Sequence, residues 1–396
     1  MTSFFTGSCR RGRLIRRRPL LLGVSTQTHS FASWSVDSTT GIVSSKAKGS
    51  LRFQTIIGLE IHAQLNIATK LFSSSPRPTS SFTKPNTHVF PFDVAVPGYL
   101  PRLSQEAVQA AVLSAAATKC HIPRVSRFER KHYFYADLPL GYQVTQQRWP
   151  LARDGILECQ IQHGSKRKKN ASAGDDSSFS ARIERIQLEQ DTGKTIMVPR
   201  RDGTTDSLVD FNRAGCALIE IVFHPDFRSS IQAASAVETL RVLLRHIGTC
   251  DGKMEDGSLR CDLNVSVAPL TEDNKDDGLD ILKRSGNRVE VKNLNSLRQI
   301  QHAAEYEAIR QVEAWMDDHP TGQETRTFDV KSGRTIVIRT KEVAKDYRFM
   351  PEPDLPPVIL DNKVRRPART SDSDEAFPAV ALILKTSFCR HLVDWT

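Results

Sequence analysis

The chain has 396 residues, 39% hydrophobic and 25% charged, an ordinary balance for a globular protein with one large domain or two smaller ones. It has no run of the ~18 apolar residues that a membrane span needs. Its seven cysteines are scattered without a Cys-x-x-Cys pair, which argues against both a disulfide framework and a structural zinc. The formal net charge of +10 is compatible with an RNA partner but is not evidence for one.

The charge is unevenly spread. Residues 1–36 carry Arg10, Arg11, Arg13, Arg16, Arg17 and Arg18, no lysine and no acid, with 20–22 as their only apolar run. This is the composition of a mitochondrial transit peptide, and the run is short for a secretory signal. A disordered basic tail or an RNA-binding arm is the alternative. Residues 1–48 are therefore set aside as a targeting or disordered segment.

Residues 56–65 alternate, with Ile57, Leu59 and Ile61 on one side and Glu60, His62 and Gln64 on the other, the period of a strand with one apolar and one polar face. Glu60 and His62 then sit about 7 Å apart, near enough to serve one ion, although a solvated surface pair has the same pattern. Residues 70–101 are proline-rich loop. Ser104 is the expected N-cap of a helix marked by Val108, Ala111, Val112 and Ala115. Residues 128–147 are dense in aromatic and basic side chains and are broken by Pro139 and Gly141. Their rings either stack a nucleobase or form a half-buried β segment.

Residues 163–180 read as a polar disordered insertion. A strand follows in which Ile186 and Leu188 oppose Gln187 and Glu189. Gly193-Lys194-Thr195 mimics a phosphate loop, but the glycine required five places before Gly193 is Leu188, so that reading is rejected. Glu220 lies inside the apolar run Ala217–Phe223. A carboxylate there is costly unless paired or metal-bound, which makes it the strongest single candidate. Ser230 is the expected cap of a helix stopped by Gly248.

After the turn Asp256-Gly257-Ser258, Leu259, Cys261, Leu263 and Val265 point one way, and Arg260, Asp262, Asn264 and Ser266 the other. A second charged insertion, 271–287, precedes the alternating Arg288, Glu290 and Lys292. A turn at 293–296 then opens a helix to about Met316, and 335–339 is a short strand. The next turn carries Lys341, Glu342, Asp346, Tyr347 and Arg348, and Glu352 ends the ordered pattern. Residues 361–396 are left unassigned.

Several strands thus share one plan, an apolar face for helices and a polar face bearing Glu60, His62, Glu189, Arg260, Asp262, Glu290 and Lys292, with Glu220 in reach. Two carboxylates 4 Å apart repel by roughly 4 kcal/mol at an effective dielectric of 20, so such a face needs divalent cations or protons. Carboxylate oxygens with one imidazole suit Mg²⁺ or Mn²⁺, and the interleaved bases suit phosphate oxygens. Acid and base on one floor is what metal-nucleotide phosphoryl transfer requires.

The sequence resembles the B subunit of the aspartyl/glutamyl-tRNA amidotransferase, in its mitochondrial form. The motifs that carry the resemblance are IGLEIHAQL (57–65), PNTH (85–88), YFYADLP (133–139), LVDFNRAG (208–215), LIEIV (218–222), KMEDGSLRCDLNVS (253–266), VEVKNLNS (289–296), GQETRTFD (322–329) and DYRFMPEPD (346–354). The resemblance implies an α+β cradle over about 49–360, related to the glutamine synthetase catalytic fold, with an antiparallel floor and helices on one face. It implies a ligase in the mitochondrial matrix that uses ATP and Mg²⁺ to phosphorylate the glutamyl side chain of Glu-tRNA(Gln). Ammonia from a separate glutaminase A subunit then gives Gln-tRNA(Gln), and a small third subunit completes the complex. The family's metal positions match Glu60, His62, Glu189 and Glu220. Glu220, Arg260 and Asp262 are the candidate catalytic residues, and Lys131, Glu290, Lys292 and Arg348 the candidate nucleotide-binding residues.

The chain departs from its family in four places. Where many bacterial relatives carry zinc cysteines it has Ser73, Ser75, Phe90 and Asp93, so no zinc is expected. Gln187 stands where the family usually has histidine and Gln190 where it has a second glutamate, and Leu140 replaces a usual lysine. Relatives continue into helical and tail domains that grip tRNA, and residues 361–396 resemble neither. A non-catalytic scaffold in the same complex is the alternative reading.

Overall fold

The computed structural model describes residues 34–45, 51–80, 83–161, 178–270, 279–340 and 346–361. In chain order come β1 (Trp34–Val36), β2 (Ile42–Ser45), β3 (Arg52–Gln64) and helix α1 (Gln105–Ala117). Short strands β4 (Val125–Ser126), β5 (Glu129–His132) and β6 (Tyr142–Thr145) precede β7 (Ala152–Gln160) and β8 (Ser178–Gln190). Then β9 (Lys194–Pro199), β10 (Thr205–Asp210) and β11 (Ala217–Phe223) lead into α2 (Ser230–His246). The order closes with β12 (Leu259–Leu270), α3 (Leu279–Arg284), β13 (Val289–Leu294) and α4 (Leu297–Met316), then β14 (Glu324–Asp329), β15 (Arg334–Thr340), β16 (Met350–Pro351) and β17 (Val358–Ile359).

The alternation in the sequence becomes a 10-stranded sheet with the path β15-β14-β13-β12-β3-β11-β8-β7, to which β2 and β1 attach beside β3. Along that path only the β13–β14 pair is parallel. Ile57, Leu59 and Ile61 of β3 and Leu259, Cys261, Leu263 and Val265 of β12 are fully buried on one face. Helices α1, α2 and α4 press their apolar stripes against it, with Val112, Leu240 and Ile300 in the same core cluster. Each such side chain contributes about 1.5–3 kcal/mol by leaving water. The outcome is a mixed α/β domain whose large, mostly antiparallel sheet keeps a second, polar face.

Ser104 caps α1 by accepting from the Ala107 amide, and Ser296 caps α4 through the Gln299 amide. The cap of α2 is Ser229, not Ser230. Ser229 has the extended backbone a cap requires, and its side chain accepts from the Gln232 amide. Ser230 lies inside the helix and donates instead to Glu305 Oε1 at 2.6 Å.

Four boundaries are corrected. Residues 34–45, set aside with the N-terminal segment, form a hairpin whose Trp34 and Val43 pack with Phe53, Val267, Ala308 and Val312; a lone tryptophan in a polar stretch hides that partnership. The first insertion ends at 177, because Ser178 to Ser180 pair with β7. Within the second, α3 buries Ile281 against Ile56 and Ala268. Those two residues belong to the polar face of the sheet, so the helices are not all on one side. The chain also stays ordered beyond Glu352, since β17 pairs with β4 and Leu360 is buried. The remainder of both insertions, residues 1–33 and 362–396 lie outside the described residues.

Residues 128–147 form a half-buried β segment. β5 pairs with β6 and with β16, Arg130 lies 4.3 Å over the Tyr142 ring, and the tip exposes Phe134 and Tyr135. Lys194 and Thr195 open a hairpin strand paired with β10, not a helix as a phosphate loop would. At the places matched to zinc cysteines, Asp93 makes a fully buried ion pair with Lys70 Nζ at 2.9 Å.

Candidate metal-binding site

The polar face is assembled by register. Glu220 of β11 lies directly opposite His62 of β3 on one side and Gln187 of β8 on the other. Across the other edge of β3, His62 faces Arg260 and Glu60 faces Asp262. Period-two alternation then points all of these side chains to the same side.

Two groups of potential ligands result. In the first, atoms of His62, Glu189 and Glu220 lie within 4.8 Å of one another, with His62 Nδ1 3.6 Å from Glu189 Oε1. In the second, Glu60, Asp262 and Glu290 are equally close. The four expected metal ligands therefore divide three to one, and Glu60 joins the neighbouring group. A two-residue step along β3 moves a side chain by about 7 Å, which sequence alternation alone cannot translate into shared membership.

The first group fits a divalent cation. Burial and the Arg260 guanidinium hold the His62 imidazole well below its usual range, so it stays neutral, the form that ligates metals. Its Nδ1 is buried and, among the described residues, has no hydrogen-bond partner, a costly arrangement for a polar atom. Burial raises both Glu189 and Glu220 above the ordinary carboxylate value, Glu220 also through the Glu189 charge. One cation would satisfy the imidazole and relieve both carboxylates.

The second group already has its counter-charge. Lys292 Nζ sits 2.8 Å from Asp262 Oδ2 and 2.7 Å from Glu290 Oε1. Although burial alone would lower the Lys292 pKa, Asp262 and Glu290 raise it, so the ammonium is held charged. Asn264 donates to Glu60 Oε1 at 3.1 Å, and the Asn293 amide donates to Asp262 Oδ1 at 2.9 Å.

Arg260 is aimed by a residue outside the expected set. Its two terminal nitrogens donate to Asp191 Oδ1 and Oδ2 at 3.1 and 3.3 Å. Burial pushes Asp191 up, but Arg260 and Arg213 hold it below the usual range, so a fixed ion pair borders the first group. Lys131 lies 4.9 Å from the Tyr347 ring centroid, and its charge favours ionised Glu189 and Glu220. Arg348 is not drawn in. Its side chain is 83% exposed and lies 3.9 Å from Asp346, and Arg348 itself has left-handed backbone (φ 44). Gln187, placed on the polar side by the sequence but not among the candidate site residues, and Thr145, not singled out at all, sit buried beside Glu220 and Glu189. The sequence signal for Gln187 and Asp191 was their two-residue spacing on either side of Glu189, Gln187 within β8 and Asp191 just past its end; for Thr145 there was none.

A mostly antiparallel sheet whose polar face joins a buried carboxylate–imidazole group to anchored guanidinium and ammonium groups defines a domain equipped for chemistry on charged oxygens. The model of the GatB/GatE catalytic domain matches residues 55–366, and the chain belongs to that family. It is 41% identical over 382 residues to the B subunit of the mitochondrial glutamyl-tRNA(Gln) amidotransferase of Phytophthora infestans, covering 86% of this chain and 65% of that protein. Identity to the chloroplastic/mitochondrial B subunit of Ostreococcus tauri is 45% over 311 residues, 78% of this chain and 55% of the relative. The B subunit of the aspartyl/glutamyl-tRNA(Asn/Gln) amidotransferase of Ehrlichia chaffeensis is 45% identical over 319 residues, 81% of this chain and 60% of the relative. The chain thus spans 55–65% of the length of these curated relatives.

Proposed function

We propose that this chain carries the catalytic cradle of a mitochondrial glutamyl-tRNA(Gln) amidotransferase, working in the matrix with a glutaminase A subunit and a small third subunit. The reaction is a glutamine-hydrolysing carbon–nitrogen ligation. A side-chain carboxylate oxygen of Glu-tRNA(Gln) attacks the γ-phosphorus of ATP and ADP leaves; ammonia then attacks the acyl carbon and phosphate leaves, giving Gln-tRNA(Gln). In this reading the cradle spans 49–360, and its floor is a relative of the glutamine synthetase catalytic sheet.

The observation that carries the proposal is the meeting of His62, Glu189 and Glu220 around a buried imidazole nitrogen that has no hydrogen bond among the described residues. These three residues would hold Mg²⁺, which when bound neutralises charge on phosphate oxygens. Arg260, aimed by Asp191, and Lys131 provide positive charge beside the carboxylates, where transferred oxygens need it. Lys292 holds Asp262 and Glu290 in place and keeps that part of the floor from repelling an incoming anion.

The test is reconstitution of the full chain with its glutaminase and third subunit, followed by the ATP-dependent conversion of Glu-tRNA(Gln). Glu220→Gln should abolish conversion while glutamine hydrolysis persists. Near-normal Gln-tRNA(Gln) formation by that variant rejects the assignment.

A further inference from the structure

We infer that Gln187 is a positioning residue for the metal group, setting two of its three ligands through a one-way chain of hydrogen bonds. The inference rests on the cation reading of His62, Glu189 and Glu220. A guanidinium can only donate, and Arg185 Nε donates to Gln187 Oε1 at 3.1 Å. That fixes which way round the amide lies, so its NH₂ must face inward. Its two hydrogens go to Glu220 Oε2 at 2.5 Å and to Thr145 Oγ1 at 3.1 Å. Having accepted one hydrogen, the Thr145 hydroxyl is free to donate, and it does so to Glu189 Oε2 at 3.4 Å. Gln187 is buried, as is Thr145, so no water competes for these contacts. The chain therefore presents one donor to each carboxylate, Gln187 to Glu220 Oε2 and Thr145 to Glu189 Oε2, and leaves each one's other oxygen for a cation. A neutral amide does this without adding a charge that would compete with the cation, and it relays the pull of Arg185 inward.

The test uses the full-length chain and Mn²⁺ alone, with free Mn²⁺ counted by electron paramagnetic resonance and folding followed by circular dichroism. Gln187→Met keeps the bulk and removes both donors. It should weaken Mn²⁺ binding by about 10–100-fold, and Gln187→His, which keeps one ring N–H, should recover most of the loss. Arg185→Met, at the partly exposed outer end of the chain, should weaken binding in the same direction by less, without loss of fold. Unchanged Mn²⁺ affinity in folded Gln187→Met, or in Arg185→Met should the first variant fail to fold, overturns the inference. Failure of the unsubstituted protein to bind Mn²⁺ overturns the cation reading itself and removes the inference with it. With the complex reconstituted, Gln187→Met should raise the Mg²⁺ requirement while leaving the KM for glutamine unchanged, a split that general destabilisation does not produce.

Discussion

Glu220 and His62 are direct cross-strand partners, the carboxylate on β11 and the imidazole on β3, and both face the polar side of a sheet whose opposite face is sealed by helices. Non-ligating pairs of this kind are rarely buried. Here the pair shares its surroundings with Glu189.

This burial predicts an inverted pH response. The folded-state pKa of Glu220 is raised by burial and by Glu189 above the ordinary 4.5, so between these values the folded chain binds more protons than the unfolded chain. The stability it contributes is full below pH 4.5 and is lost as pH rises through the folded value. In chelator, Glu220→Gln should therefore match the unsubstituted protein in Tm at pH 5 and exceed it at pH 8.5. Added Mg²⁺ should raise the Tm of the unsubstituted protein more than that of the variant. A variant less stable than the parent at pH 8.5 in chelator would contradict this account.

Lys292 acts as an internal cation. Lys292→Met leaves Asp262, Glu290 and Glu60 close together with no positive charge between them and should cost about 2 kcal/mol, partly screened because the side chain is 33% exposed. Denaturant unfolding at low and high salt measures it. The loss should shrink with added salt or divalent cations, and a loss indifferent to both would point to packing instead.

The Lys70–Asp93 pair is buried on both sides. Removing one partner strands a charge, so Lys70→Met should cost about 3–5 kcal/mol. Asp93→Asn in the same chain should recover a large part of that, since the amide oxygen still accepts from the Phe90 amide as the carboxylate does now at 2.9 Å. Urea midpoints for the two single variants and the double variant give the coupling directly.

The hairpin at 34–45 should behave as part of the domain. Trp34 stands 6.0 Å from Phe53, ring to ring, and Trp34→Ala should cost about 3 kcal/mol. A chain beginning at residue 46 should unfold at lower temperature than one beginning at residue 34. Equal thermal midpoints would return the hairpin to the segment set aside.

The sequence by itself determined which residues share a face. Period-two alternation placed Glu60, His62, Glu189, Arg260, Asp262, Glu290 and Lys292 on the polar sides of their strands, and the Ser104 cap and the turn at 293–296 placed where α1 and α4 begin. Such facts are local, because side-chain direction follows from backbone period alone. Tertiary structure decided which of those residues meet. Strand order and register put His62 between Glu220 and Arg260 and moved Glu60 to the group that Lys292 neutralises. They also brought in Thr145 and Asp191 and turned Arg348 away. Pairing between strands far apart in the chain is set by loop closure and by burial of whole faces, which no window of residues records. The Trp34 hairpin eluded the sequence for the same reason, since its partners lie on β3, β12 and α4.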